Sequence, residues 1–256
     1  MTPLPVRRRT PLAGVALLLA LAGSVRAQDT TALAGRPALD VGRVQPGSRS
    51  YRLAVLRHGL PTNAGQRVVS VRETFHGDIP AWSIVETRLV AGGSTTDSVV
   101  VARADLAPLH WEASAGGARL VAGIARDTLY GAVDAAGERR NVVVGGVSTA
   151  VLNAAMLETL VSLLPLDVGF EGVLPLVVVA HDGGRVVPMQ VVVERADSLL
   201  LPSGPVECWV VSVRNERVAK TLWVSRDGRG VVRIDEPMPD VDGATLEQLL
   251  TATTPD

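Results

Sequence analysis

The stretch from Val206 to Asp235, VECWVVSVRNERVAKTLWVSRDGRGVVRID, restricts the fold more than any other part of the chain. Runs rich in Val and Trp are separated by Asn215-Glu216-Arg217-Val218 and by Asp227-Gly228-Arg229-Gly230. Asp-Gly between apolar runs is a strong short-range hairpin signal, so the stretch is predicted to form three antiparallel strands. With even-numbered loops, Trp223 shares a face with Cys208, Val210, Val232 and Ile234, whereas Trp209, Val211 and Val213 share the other with Leu222, Val224 and Val231. Both faces are then apolar. A meander with one wet side should alternate, so this sheet is expected to be covered twice, or covered once and curved around an apolar cavity.

The same grammar runs through most of the chain. Strands are expected at Tyr51 to Arg57, Arg67 to Phe75, Trp82 to Val90, Ser98 to Arg103, Leu109 to Ala113, Arg119 to Ile124, Thr128 to Val133 and Asn141 to Gly145. They resume at Leu174 to Ala180 and Arg185 to Glu194, where Pro188 calls for an edge or bulge. Gly59 to Gly65 reads as a loop, and Thr245 to Leu250 fits either a strand or a short helix. The exception is Ser148 to Leu164. Leu152, Met156, Leu160 and Leu163 or Leu164 recur at helical spacing, Ser148 or Thr149 can cap the start, and Pro165 stops the run. Asn153, Glu158, Thr159 and Ser162 make up its small exposed face, so most of the helix requires burial against the sheet. The fold class is therefore mainly β, a curved antiparallel sheet or half-barrel meander with one central apolar helix.

The N-terminus reads as an export address. Arg7-Arg8-Arg9 precedes an apolar run from Leu12 to Ala22, and Val25-Arg26-Ala27 suits cleavage before Gln28. The expected organisation is a signal peptide over 1–27, a flexible turn-rich lead-in over 28–48, a single β-rich domain over 49–251 and a short tail over 252–256. The apolar run is too short to span a bilayer, which takes roughly 20 residues, so no transmembrane segment is expected after cleavage. Location is accordingly periplasmic or secreted. Loss of the four leader arginines moves the formal net charge from −1 to −5, without the basic stripe that nucleic-acid binding requires. Cys208 is the sole cysteine, in a Val-rich run, and reads as a buried inert thiol.

Chemistry is sparse in the chain. Gly146-Val147-Ser148-Thr149-Ala150 lies where a nucleophile elbow would, at a strand-to-helix junction, with His181-Asp182 as conceivable partners. Ala150 replaces the last glycine of that motif and the α/β alternation is missing, so Ser148 reads as a helix cap and His181-Asp182 as turn residues. His76 with Asp78, or His110 with Glu112, could set two ligands on one face of a strand, but the four histidines lack metal-site spacing. No metal, cofactor or catalytic residue is assigned. Trp209, Val211, Leu222, Trp223 and Val224 are the candidate ligand-contacting residues, with Trp209, Leu222 and Val224 on one face and Trp223 on the other.

An export leader, a long meander, an apolar helix ending in Leu164-Pro165-Leu166-Asp167-Val168-Gly169, a second meander, and the phrases Leu201-Pro202-Ser203-Gly204 and Leu222-Trp223-Val224-Ser225 together resemble an uncharacterised family of bacterial exported proteins, a domain of unknown function. The resemblance covers about residue 50 to 250. That family is in turn similar in architecture to periplasmic lipoprotein carriers, whose curved half-barrel cradles acyl chains beneath a helical lid. The resemblance implies an exported, non-enzymatic envelope protein that binds or carries a lipid or other apolar ligand. Two other functions are consistent with the residues: a closed-core protein that docks onto an envelope protein partner, and a serine hydrolase using Ser148.

Overall fold

Turn residues at short intervals cut the chain into hairpins, and hairpins laid side by side make one sheet. In the computed structural model, which describes residues 37–180, 183–216, 218–238, 241 and 243–255, fourteen antiparallel strands do this. The first eight are β1 (Gly47–Arg57), β2 (Leu60–His76), β3 (Ile79–Val90), β4 (Gly93–Ala102), β5 (Pro108–Ala115), β6 (Ala118–Ala125), β7 (Thr128–Ala135) and β8 (Glu138–Gly145). After the helix α1 (Ala154–Ser162) come β9 (Glu171–Ala180), β10 (Gly183–Leu201), β11 (Gly204–Arg214), β12 (Ala219–Ser225), β13 (Val231–Met238) and β14 (Ala244–Thr254). Strands pair with their sequence neighbours, except that β8 and β9 are not paired with each other and β1 pairs with β14, which joins the two meanders into one sheet with β8 and β9 at its ends. The leader and residues 28–36 lie outside the described residues, as do His181 and Asp182.

The sheet curls until its two ends meet, nearly closing into a barrel. β8 lies against the start of β10 through side chains. A Cβ on Gly184 would stand 2.4 Å from Val144 Cγ2, so the absence of a side chain lets the valine in. The outer edge of β9 is covered by Val151, whose N–H donates to Pro175 O (2.7 Å) and whose carbonyl accepts from Val177 N–H (2.8 Å). Pro188, as expected, sits where β10 pairs on one side only, directly opposite Pro175 of β9.

α1 plugs the barrel. Ala155 through Val161 are all buried, and its apolar side chains join a core with Val69, Ile84, Val99, Val211, Val213, Leu222 and Ile234. The helix departs from its expected start and its expected exposed face. The helix starts at Ala154 rather than near Ser148, because the bridge of Val151 to β9 holds the preceding residues extended and Asn153 becomes the cap, accepting from Met156 N–H (2.8 Å). Asn153, Glu158 and Thr159 are buried, not exposed, because the sheet surrounds the helix.

The three strands predicted from Val206 to Asp235 form as β11, β12 and β13. Val211 opposes Leu222, Val210 opposes Trp223 and Trp209 opposes Val224. A bulge after Trp223 shifts the next ladder, so that Trp223 opposes Arg233 and Ile234 opposes Leu222. Ile234 therefore faces the helix with Leu222, contrary to the expected face shared with Trp223, since one inserted residue reverses side-chain parity. Gly59 to Gly65 is strand from Leu60 onward, with a register shift against β1, and Thr245 to Leu250 is strand. Residues 37–46 dock rather than hang loose: Asp40 N–H donates to Leu163 O (3.0 Å), and Leu39, Val41 and Val44 pack on the core across one barrel mouth.

Candidate functional site

Inward positions of β2 and β3 carry charge into the lumen. Arg67, fully buried, donates through Nη2 to Glu86 Oε2 (2.8 Å) and to Glu158 Oε1 of α1 (2.7 Å), and through Nη1 to Gln248 Oε1 of β14 (3.1 Å). Its guanidinium lies 5.2 Å from the centre of the Tyr51 ring, and Tyr51 donates its hydroxyl to Val231 O (2.8 Å). Arg88 reaches the other oxygen of Glu86. Burial pushes the Glu86 carboxyl up, but Arg67 and Arg88 outweigh it and hold the group at about 2. Arg67 also suffers desolvation, which the carboxylates overcome, raising its pKa still further. Arg67 Nε, Glu158 Oε2 and Gln248 Nε2 have no hydrogen-bond partner among the described residues.

A second polar set holds the other end of the helix. Asp97 Oδ1 accepts from Asn153 Nδ2 and Trp111 Nε1, each at 2.8 Å. Burial lifts its carboxyl to about 6 against those hydrogen bonds. These two sets fix α1 to the sheet.

Open volume lies at the mouth by the C-terminal end of α1. A cleft of about 520 Å³ is bounded by the docked lead-in, the starts of β1 and ends of β14, and the β10–β11 and β12–β13 turns. Its apolar floor is Val71, Leu163, Leu201 and Leu250, with Thr159 and Ser162 of α1 beside them. Arg43, Arg49 and Arg229 stand around it, against the carboxylate of Asp227. Arg229 is held by Asp227 (2.9 Å), and Gly228 and Gly230 supply the positive φ angles, 90° and 81°, that bring this turn to the rim. A smaller cleft of about 340 Å³, lined by Glu73, Trp82 and Arg103, lies on the far side of the lead-in, where Arg103 sits 4.6 Å over the Trp82 ring.

The five residues singled out from the sequence lie elsewhere. Val211, Leu222 and Val224 are buried in the core, Trp209 is half-buried with Arg226 4.5 Å from its ring centre, and Trp223 lies between Arg195 and Arg233 at 5.8 and 5.5 Å. None of them lines the larger cleft. Cys208 is buried, and desolvation pushes its thiol up to about 11. Ser148 is exposed in a turn, its N–H donating to Asp127 Oδ1 (2.8 Å). His76 and His110 stack at 6.2 Å, and His110 Nε2 lies 3.2 Å from Glu112. The arginines of the cleft and the charges of the lumen escaped the sequence reading. The one available signal was Glu158 within an apolar helix, which a solvated face explained equally well.

Among the described residues no helix is long and apolar enough to cross a membrane. No curated protein matches the sequence. Among solved structures, a "putative exported protein with YmcC-like fold" from Bacteroides fragilis aligns at 9% identity and a TM-score of 0.34, covering 82% of this chain and 96% of its own. A family model, described as a protein of unknown function, DUF3108, matches residues 50–248. That match spans most of the chain and runs from β1 into β14, so the protein belongs to the DUF3108 family.

Proposed function

We propose that this is an exported, non-enzymatic protein of the bacterial envelope that binds a small amphipathic molecule in the cleft at the barrel mouth. The observation that carries the reading is the cleft itself. Its volume of about 520 Å³ falls in the range of small-molecule sites, its floor is aliphatic and its rim is polar. The apolar lumen that a half-barrel carrier would offer is filled in this chain by α1, which moves the available site from the barrel centre to its end. The leader-like N-terminus supports export.

Native mass spectrometry and lipid extraction of the mature protein, residues 28–256, test this. A co-purifying amphiphile is expected, and Ser162→Trp, which fills the cleft from the helix side, should abolish it with the circular dichroism spectrum unchanged. A clean apo mass across preparations, with no binding of added amphiphiles, would overturn the reading. Tyr130 and Val143, directly opposed on neighbouring strands and 55% and 60% exposed, favour a second one: docking of the closed-core molecule onto an envelope partner through the outer face of β7 and β8. Loss of such a complex on Tyr130→Lys, with the Ser162→Trp variant still competent, would select it.

A further inference from the structure

From the charges at the cleft we infer that its ligand carries an oxyanion head, a carboxylate or phosphate, received by Arg49 with Arg43 and Arg229; this rests on the cleft being the binding site. Arg49 occupies an inward position of β1, two residues before Tyr51 and opposite Val69, both of which face the lumen. Its guanidinium covers Gly230, where a Cβ would lie 2.3 Å from Nη1. The side chain is thus held between the β12–β13 turn and the cleft, half-buried, with no hydrogen bond or ion pair among the described residues. Arg43, from the lead-in on the opposite rim, likewise has no ion pair among them.

Among the described residues, three guanidinium groups at the cleft face one carboxylate, Asp227, which is engaged with Arg229. Positive charge therefore gathers at this one mouth of a chain whose formal net charge is −1. A guanidinium presents a planar fork of donors that matches a carboxylate or phosphate, and in a partly enclosed cleft such a charge-assisted pair is stronger than in water. The aliphatic floor beneath the arginines supplies the complement for the rest of an amphiphile.

The competing explanation is that the arginines only offset the carbonyl end of α1, which has no basic residue in its last turn. Calorimetric titration of the mature protein with laurate, dodecyl phosphate, uncharged dodecanol and inorganic phosphate, all below aggregation, separates the two. The anionic amphiphiles should bind at least about tenfold more tightly than dodecanol, and Arg49→Gln should remove that advantage while Arg49→Lys retains part of it. Equal affinities for charged and uncharged chains would overturn the anion inference and leave the cleft reading intact. Inorganic phosphate binding as well as dodecyl phosphate would keep the anion site and overturn the amphiphile. Binding of none of the four would overturn both. A lower denaturation midpoint in Arg49→Gln with ligand preference unchanged would assign the arginine to the helix end and sink the proposal. Should Arg49→Gln fail to fold, Arg43→Gln, on the exposed rim, gives the same readout with a smaller expected loss.

Discussion

The two walls that enclose α1 are chemically unlike. Both contribute aliphatic residues to the core around the helix, Val69, Ile84 and Val99 on the side of β2 to β4 and Val191, Val193, Val211, Val213, Leu222 and Ile234 on the side of β10 to β13, but the first also sets Arg67 and Asp97 in hydrogen bonds to Glu158 and Asn153. The aliphatic wall supplies non-directional burial, which would tolerate the helix at several rotations and depths. The polar wall does the opposite. Hydrogen bonds from Arg67 to Glu158, and from Asn153 to Asp97, hold only at one rotation and one depth, so the charged wall sets where the plug sits and the apolar wall holds it there.

Breaking the polar wall at one point should have the largest effect. Arg67→Ala leaves Glu158 buried without its cation and Glu86 with Arg88 alone, and is expected to cost about 3–5 kcal/mol in denaturant titration. Replacing the set together, Arg67→Met with Glu86→Leu and Glu158→Leu, should recover most of that stability while broadening the near-ultraviolet spectrum of the core tryptophans. Full recovery of a sharp spectrum would show that the apolar wall alone fixes the helix. On that wall, Leu222→Ala should cost about 2–5 kcal/mol, with the slope of the denaturant transition unchanged.

The seam where the walls meet should respond more mildly. Gly184→Ala pushes a methyl into Val144 and is expected to destabilise by about 1–3 kcal/mol, a loss that Val144→Ala in the same molecule should largely cancel. The smallest effect is a titration. Asp97 has its folded pKa raised from 3.8 to about 6, so the folded state holds this proton more tightly than the unfolded one. Its contribution to stability is complete below pH 3.8 and is lost as pH rises through 6. Glu86, lowered from 4.5 to about 2, acts in the opposite sense, contributing above pH 4.5 and failing as pH falls through 2. The denaturation midpoint of the natural protein should therefore fall relative to that of Asp97→Asn between pH 4 and pH 6; a constant difference across that window would contradict the assignment.

The same contrast explains what could be read from the sequence. The aliphatic wall was legible because period-two runs of Val and Leu, punctuated by Gly and Asp-Gly, specify strands and hairpins locally. Phase was lost only where a bulge after Trp223 inserted a residue that no local signal marks. The polar wall was illegible because Arg67, Glu86, Glu158 and Gln248 are far apart in the chain, and each taken alone resembles a solvated surface residue. The cleft escaped for a similar reason, being assembled from residues 43–49, 159–163, 201–203, 227–230 and 250–253. Its Gly- and Pro-rich lead-in reads as flexible, whereas Leu39, Val41 and Val44 tether it to the core.

The pairing of β1 with β14 has a kinetic consequence. All other ladders join strands adjacent in sequence and can close as soon as both are available, whereas this one brings residues 47–57 to 244–254. A chain delivered N-terminus first can lay down β1 to β8 as a growing meander, but the two meanders can be joined around the plug only after β14 emerges. Until then the edge of β1 stays open and the Arg67 cluster lacks Gln248. Arrival of β14, rather than formation of any hairpin, becomes the event that commits the molecule to its native state.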